Sequence, residues 1–212
     1  HMVSRGLDPQ KFYWIPNGFS SKEVATKEAL PNNIEKQLPE NKFIVGYTGS
    51  IGIANCLQNL IGAAIKLQDR SDIHFAIVGK GEYKEVLQQQ VADHQLSNVT
   101  FIDPIPKTQI QSMLDKFGAC YIGLKKDPLF RFGVSPNKLF DYLYAGKPVI
   151  YAIDSGKYKP VSDAGAGYEV TPENTDELVC TIEKLAVIPE SDRKIMGENG
   201  RKYVKDLYDY KA

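Results

Sequence analysis

The sequence predicts an α/β domain with a Rossmann-like, doubly wound parallel sheet, and three observations support that prediction. Short apolar segments alternate with amphipathic helical segments along nearly the whole chain. The apolar segments are almost continuous, which is typical of strands buried on both faces. Two of them run into glycine turns, Gly49-Ser50-Ile51-Gly52 and Gly79-Lys80-Gly81, which lead on to helical segments.

Each element is predicted from its own pattern. Six strands are expected, at residues 42–48, 73–78, 99–102, 119–124, 148–151 and 167–170. Helices are expected at residues 55–67, 82–94, 108–116, 136–145, 157–164, 173–185 and 192–207. A long loop separates the fourth strand from the helix at 136–145. Ligands of such sheets bind at the carboxyl ends of the strands, so the loops that follow the strands are the place to look for a site.

Composition excludes several classes of function. Lys plus Arg and Asp plus Glu both number 26 among 212 residues, so no net positive field attracts nucleic acid or an anionic membrane surface. The three cysteines, Cys56, Cys120 and Cys180, are far apart and odd in number, which favours neither a disulfide framework nor a zinc site. Apolar segments are too short to span a bilayer. We therefore expect a cytoplasmic protein, with the inner face of the membrane as an alternative location for a longer enzyme.

The first 19 residues are expected to differ from the rest of the chain. His1-Met2 is typical of a cloning remnant, and the apolar segment from Lys11 ends in the turn Pro16-Asn17-Gly18. We interpret residues 1–19 as that remnant plus a linker, and residues 20–212 as one ligand-binding domain.

The strongest functional signal is the segment from Gly133 to Ile150. Ser135 suits an N-cap and Pro136 the first helical position, so the amides that follow are predicted to point at a phosphate. Asn137, Lys138 and Asp141 share one side of the first two turns. Asp141 lies roughly 9 Å along the axis from Ser135, about the separation of a pyrophosphate from its ribose hydroxyls. The alternative is a capped helix with an ordinary Lys138–Asp141 surface ion pair.

This segment, Ser135-Pro-Asn-Lys-Leu-Phe-Asp-Tyr-Leu-Tyr-Ala-Gly-Lys-Pro-Val-Ile150, resembles the donor-binding motif of glycosyltransferase family 4, retaining enzymes of GT-B architecture. The likeness is closer to the polysaccharide-assembly branch. Ile15 to Phe19 resembles the linker into the C-terminal domain, and 45–49 and 77–81 resemble the first two strands with their glycine turns. The resemblance implies the C-terminal half of a GT-B glycosyltransferase, with Asp141 on the ribose and helix amides on the diphosphate.

Three positions depart from the family pattern. Many members have an arginine, a lysine and an additional glutamate where this sequence has Ser50, Asn55 and Gly133. The charge of a diphosphate therefore has to be balanced by other cations. The segment 125–138 carries four cations against one anion, and we predict that Arg131 and Lys138 are the two that act in catalysis.

The resemblance implies a donor site that binds a nucleotide sugar, most simply UDP-linked, without a metal ion or other cofactor. Its predicted members are the two glycine turns, the third-strand loop and the motif helix: Gly49, Ser50, Gly52, Gly79, Gly81, Ile105, Pro106, Ser135, Pro136, Asn137, Lys138 and Asp141. The implied acceptor is a glycan or lipid-linked glycan held by an N-terminal domain, without which the 212-residue chain is expected to be inactive. Two alternatives remain open: a GT-B sugar-nucleotide epimerase, and a non-catalytic module that binds nucleotide sugars.

Overall fold

A computed structural model describes residues 3–11, 13 and 17–210, apart from the side chains of Val3 and Arg131. Within these residues, six strands form one sheet. They are β1 (Phe43–Thr48), β2 (Ile73–Val78), β3 (Val99–Ile102), β4 (Ala119–Gly123), β5 (Val149–Ala152) and β6 (Gly167–Glu169). Their order is β3-β2-β1-β4-β5-β6, and every neighbouring pair is parallel. The predicted doubly wound sheet is confirmed.

The helices of the described chain alternate with the strands. They are α1 (Ser21–Ala25), α2 (Asn32–Glu35), α3 (Leu57–Lys66), α4 (Lys84–Asp93), α5 (Lys107–Asp115), α6 (Asn137–Ala145), α7 (Pro160–Ala164), α8 (Thr175–Val187) and α9 (Glu190–Leu207). Short 3-10 turns lie at Ile53–Asn55 and Pro128–Phe132, among others. The second turn falls inside the segment that the sequence predicts as a long loop.

Two apolar clusters, one on each face of the sheet, hold these layers together. One cluster contains buried side chains of α5, α6, α7 and α9, and the other contains those of α3, α4 and α8. Side chains alternate between the clusters along a strand, as Ile44 and Val45 do in β1. Burial on both faces explains why the strands are apolar at nearly every position.

Residues 17–19 and the last described residues meet beside α6. Phe19 forms a parallel bridge with Asp209, and its ring stacks on Phe140 of α6 at a centroid distance of 6.5 Å. Asn17 donates from its side chain to the carbonyl of Ser135 at 2.8 Å. The segment just before residue 20 is therefore attached to the start of α6. Residues 14–16 of the predicted linker lie outside the described residues.

Candidate functional site

The topology places a crevice between β1 and β4. These two strands are neighbours, yet the chain leaves β1 toward β2 and β3 on one side and leaves β4 toward β5 and β6 on the other. The loops after β1 and β4 therefore diverge at the carboxyl edge of the sheet. Ligands of open α/β sheets bind at such a switch point. The turn from Gly49 to Gly52 and the start of α6 both belong to these loops.

The two glycine turns are fastened to each other. The amide of Gly49 donates to the carbonyl of Val78 at 2.9 Å, and the amide of Ile51 donates to the carbonyl of Lys80 at 2.8 Å. A Cβ on Gly79 would lie 1.9 Å from the oxygen of Gly49, and one on Gly81 would lie 2.2 Å from the oxygen of Ile51. Both glycines are required by this close approach. Gly79 is buried where it lies against the first turn, whereas Gly81 is exposed.

Helix α6 begins one residue later than predicted. Asn137 is its first residue, and Pro136 occupies the N-cap position with extended backbone, φ −76° and ψ 124°. The prediction that Ser135 is the N-cap and Pro136 the first helical residue is wrong, because Pro136 adopts the extended conformation that a cap requires. The hydroxyl of Ser135 is buried and bonds to no described residue. The amides of Asn137 and Lys138 also donate to none of the described residues.

Three contacts fix α6 against the end of β1 and against α5. The amide of Thr48 donates to the Tyr142 hydroxyl at 2.8 Å, and that hydroxyl donates to the Thr48 carbonyl at 3.2 Å. Gln111 of α5 donates to the carbonyl of Asp141 at 3.2 Å. Leu139 and Leu143 are buried, as predicted. The first turn of α6 is thus held at the carboxyl edge of the sheet.

Lys138 extends over that edge to the turn after β1. Its Nζ donates to the hydroxyl of Tyr47 at 2.5 Å and to Oδ1 of Asn55 at 3.3 Å, and it lies 4.1 Å from the centroid of the Tyr47 ring. A Cβ on Gly49 would lie 3.1 Å from the same Nζ. Gly49 also has a φ of +133°, which disfavours any other residue there. The ammonium group therefore lies beside this turn.

The ammonium group of Lys138 has neutral partners. Tyr47 and Asn55 both bond in turn to the carbonyl of Ser50, at 2.5 and 3.0 Å. Among the described residues, no carboxylate forms an ion pair with Lys138. Burial lowers the pKa of Lys138 to about 8, so the group is still mostly charged at pH 7. A partly buried cation without a counter-ion is costly, and an anion at this edge would relieve that cost.

Asp141 does not pair with Lys138. The surface ion pair that the sequence left as an alternative is absent from the described residues, because the lysine turns toward β1. The side chain of Asp141 is half-buried, and burial raises the pKa of its carboxyl above the usual value, with an opposing effect from Lys107. Asp141 accepts no hydrogen bond on its carboxylate from the described residues, so its oxygens remain available.

The other predicted site residues differ in how exposed they are. Ser50 and Asn137 are exposed at the edge, Gly52 and Ile105 are half-buried, and Pro106 is exposed as the N-cap of α5. Arg131 belongs to the 3-10 turn before α6, but its side chain lies outside the described residues. The structure therefore brings Lys138 to the Gly49 turn and leaves the position of the Arg131 guanidinium undescribed.

Two residues of this arrangement were missed as functional candidates, namely Tyr47 and Tyr142. Both are completely buried tyrosines whose hydroxyls reach the end of β1. A tyrosine directly before Thr48 and Gly49 is a signal that could have been used, because a buried phenol needs a hydrogen-bond partner. Sequence spacing alone does not show which group supplies that partner.

Cavities also lie at the opposite, amino edge of the sheet. Two of them, of about 580 and 720 Å³, share Lys42 and Lys116 in their walls. Two of the cations in these walls bond to the protein itself. Arg193 donates to the carbonyls of Leu185 and Ile188 at 3.0 and 2.5 Å, and Lys116 pairs with Glu35. Neither cavity contains the unpaired donors found at the start of α6.

The described residues contain no group of three or more His, Cys, Asp or Glu side chains that could hold a metal ion. None of the helices formed by these residues has the length and apolar character needed to cross a membrane.

Comparison with known proteins identifies the family. A sequence model described as "Glycosyl transferases group 1" matches residues 31–203, which is most of the chain. The chain belongs to the glycosyl transferases group 1 family. It is 28% identical over 224 residues to the "Putative colanic acid biosynthesis glycosyl transferase WcaI" of Escherichia coli K12, covering 97% of this chain and 53% of WcaI. The chain spans about half the length of this curated relative and a smaller share of another curated protein that it matches.

Solved structures of group 1 proteins and their neighbours share the fold. HepE of Anabaena, solved with UDP and glucose, has a TM-score of 0.76 and 20% identity, covering 98% of this chain and 55% of HepE. The C-terminal domain of LpcC, a group 1 family protein of Francisella tularensis, has a TM-score of 0.67 and 21% identity, covering 97% of this chain and all of that domain. The architecture is thus that of a GT-B C-terminal domain, as predicted.

Proposed function

We propose that this chain binds the nucleotide of a UDP-sugar, as the donor domain of a retaining glycosyltransferase in polysaccharide or lipid-linked glycan synthesis. The observation that carries the proposal is the ammonium group of Lys138, which lies at the switch point of the sheet with neutral partners alone. The names of relatives support it. WcaI is named for colanic acid biosynthesis, and HepE is described in complex with UDP and glucose.

The start of α6 supplies the groups that a diphosphate needs. The amides of Asn137 and Lys138, the Ser135 hydroxyl and the Lys138 ammonium are all donors without an anionic partner. When the bond between sugar and diphosphate breaks, negative charge grows on the leaving phosphate, and preorganised donors of this kind stabilise it. The helix dipole acts in the same direction. We assign the main cation to Lys138 and a second one to Arg131, with no metal ion.

Asp141 is the candidate for the ribose hydroxyls. It lies one turn beyond Lys138 on α6, and its carboxylate accepts no hydrogen bond from the described residues. A carboxylate that accepts from two hydroxyls would recover the solvation that burial removes. The family resemblance supports the same assignment. Diphosphate and ribose would then contact separate residues of one helix.

The test is calorimetric titration with UDP, uridine and inorganic pyrophosphate in the presence of a metal chelator. We expect UDP and pyrophosphate to bind without metal. Lys138→Met should weaken both by about tenfold or more while sparing uridine, because it removes a charge-assisted contact to phosphate. Asp141→Asn should weaken UDP and uridine by about tenfold and spare pyrophosphate.

Two results would contradict the proposal. Binding that appears only with magnesium or manganese would show that the charge of the diphosphate is balanced by a metal ion instead of Lys138. Equal losses for all three ligands in both variants, together with a lower melting temperature, would show that the substitutions simply disrupt α6.

A further inference from the structure

We propose that Tyr47 and Asn55 are positioning residues, which hold the Lys138 ammonium at the Gly49 turn through neutral acceptors and so leave its charge for a ligand phosphate. This inference rests on the proposed function and identifies residues that act through Lys138. Neither side chain is assigned a contact with the nucleotide. Their effect on binding depends on where they place the lysine.

The geometry of the three side chains supports this role. Lysine has a flexible stem with four rotatable bonds, so an unanchored Lys138 would sample many positions in water. Here Nζ is fixed from two sides, at 2.5 Å from the Tyr47 hydroxyl and 3.3 Å from Oδ1 of Asn55. Tyr47 is completely buried in β1, and α6 is joined to the next residue of that strand, Thr48, by Tyr142. The ammonium is thus attached to rigid elements.

The positions of the two acceptors are themselves fixed. The Tyr47 hydroxyl donates its proton to the carbonyl of Ser50 at 2.5 Å, which leaves its lone pairs for Lys138. The side-chain amide of Asn55 donates to the same carbonyl at 3.0 Å, which orients its oxygen toward Nζ. The Ser50 carbonyl therefore orients both acceptors. A proton on either acceptor that pointed at Lys138 would repel it.

The neutrality of both acceptors is the second part of the argument. A carboxylate at either position would form an ion pair with Lys138, and a phosphate would then have to displace that partner. Tyr47 remains a neutral phenol, since burial raises its pKa. Asn55 has an amide oxygen where an aspartate of almost the same shape would bring a negative charge. The arrangement orients the cation without neutralising it, as an anion site requires.

The decisive experiment is a double-mutant cycle on pyrophosphate and UDP binding. Tyr47→Phe removes one hydroxyl and should weaken both ligands by about tenfold. In the Lys138→Met background, Tyr47→Phe should have no further effect, because a positioning residue acts only through the residue it positions. The matched control is Tyr121→Phe. Tyr121 is an equally buried tyrosine on β4 whose hydroxyl donates to the backbone carbonyl of Cys56 instead, so its loss should leave affinity unchanged.

A second variant keeps the test valid if Tyr47→Phe folds poorly. Asn55→Asp is isosteric and places a carboxylate beside Nζ. We expect it to weaken pyrophosphate by tenfold or more and to raise the pKa of the Lys138 side chain, followed by NMR of ε-labelled lysine without ligand. Asn55→Ala should weaken pyrophosphate less. A change in the lysine titration is a readout that a purely structural role would not produce.

The outcomes separate this inference from the proposed function. If Tyr47→Phe weakens binding equally with and without Lys138, or if Asn55→Asp changes neither affinity nor titration, the positioning role is wrong even though UDP binds. If the cycle behaves as expected with pyrophosphate but UDP binds no more tightly than pyrophosphate does, the positioning role stands and the nucleotide-binding function fails. If the unmodified chain binds neither ligand, both are overturned.

Discussion

At the scale of single residues, two basic side chains are withdrawn from water and have different surroundings. His74 in β2 is only 5% exposed, and its Nε2 shares a hydrogen bond of 2.9 Å with Thr100. Burial, with a smaller contribution from Lys42, lowers its pKa to about 4, so it is neutral at pH 7. Lys138 keeps most of its charge at pH 7 and lies at the carboxyl edge of the sheet. His74 therefore has a structural role in the sheet, whereas Lys138 is suited to bind an anion.

His74 should make the domain sensitive to acid. Its pKa is near 6.5 in the unfolded chain and about 4 in the folded one, so the unfolded state binds the proton more tightly between these values. Stability that is present above pH 6.5 is therefore lost as the pH falls toward 4, by about 3 kcal/mol. We expect the free energy of unfolding, measured in urea at pH 7, 5.5 and 4, to fall less with acid for His74→Gln than for the unmodified chain.

The control for this measurement is His94→Gln, which removes a histidine from the exposed end of α4 instead of from the sheet. If the free energy of unfolding of His74→Gln falls as steeply with acid as that of the unmodified chain, buried carboxyl groups, and not His74, determine the acid sensitivity.

The residue scale is also where prediction from sequence is weakest. Lys138 and Asp141 were predicted as candidates because residue type and helical spacing put them on one side of α6. The spacing does not show that Lys138 folds over Gly49 toward Tyr47, since this depends on the separation between α6 and β1. The Ser135 cap was wrong by one residue, because Pro136 is compatible with both the cap and the first helical position.

At the scale of elements, the prediction succeeds where burial dominates and fails where it does not. All six strands were predicted because their apolar character is almost continuous, and β2 and β3 also have the predicted bounds. Helices α1 and α2 were not predicted. They have five and four residues and are mostly exposed, so they carry too little apolar periodicity to be recognised.

The junction between the two glycine turns should be intolerant of side chains. Gly79 has a φ of +148°, and a Cβ there would lie 1.9 Å from the oxygen of Gly49. Gly79→Ala must therefore displace the first turn, at a cost of about 3 kcal/mol or more. Because that turn lies beside the Lys138 ammonium, pyrophosphate affinity should fall as well. Both effects are measurable by urea unfolding and calorimetry.

Gly52→Ala is the matched control for stability. Gly52 has a φ of −115°, and an added Cβ would meet only Nδ2 of Asn55, at 3.7 Å. Its free energy of unfolding should stay within about 1 kcal/mol of the unmodified value. Similar losses at Gly52 and Gly79 would show that loop flexibility, and not the close approach of the two turns, explains these glycines.

At the scale of the whole molecule, the order of the strands explains why the site residues converge. Residues 49–55 and 135–141 are far apart in sequence, yet they meet because β1 and β4 are neighbours at the switch point. Alternation of strands and helices predicts a doubly wound sheet but not which strands are neighbours. That these residues meet in one site was predicted from the family resemblance and not from periodicity.

The candidate site faces solvent in this chain. Gly49, Ser50, Gly81 and Asn137 are exposed at the carboxyl edge. The segment that leads into α6 also exposes two large apolar side chains, Leu129 at 68% and Phe132 at 64%. The described residues provide donors for an anion, and the edge beside these donors is open to water. Group transfer needs water to be excluded and the acceptor to be held in line.

We therefore expect the 212-residue chain alone to bind a UDP-sugar and not to transfer the sugar. Orienting an acceptor can supply roughly 7 to 11 kcal/mol of the barrier, and an open edge supplies none of it. Donor affinity should depend less on a covering domain, because the proposed nucleotide contacts all belong to this chain. The test is incubation with radiolabelled UDP-sugars and a membrane extract that contains native acceptors, beside a full-length family member. Labelled glycan formed by this chain at a rate near that of the full-length enzyme would mean that Lys138, Asp141 and their neighbours form a complete active site.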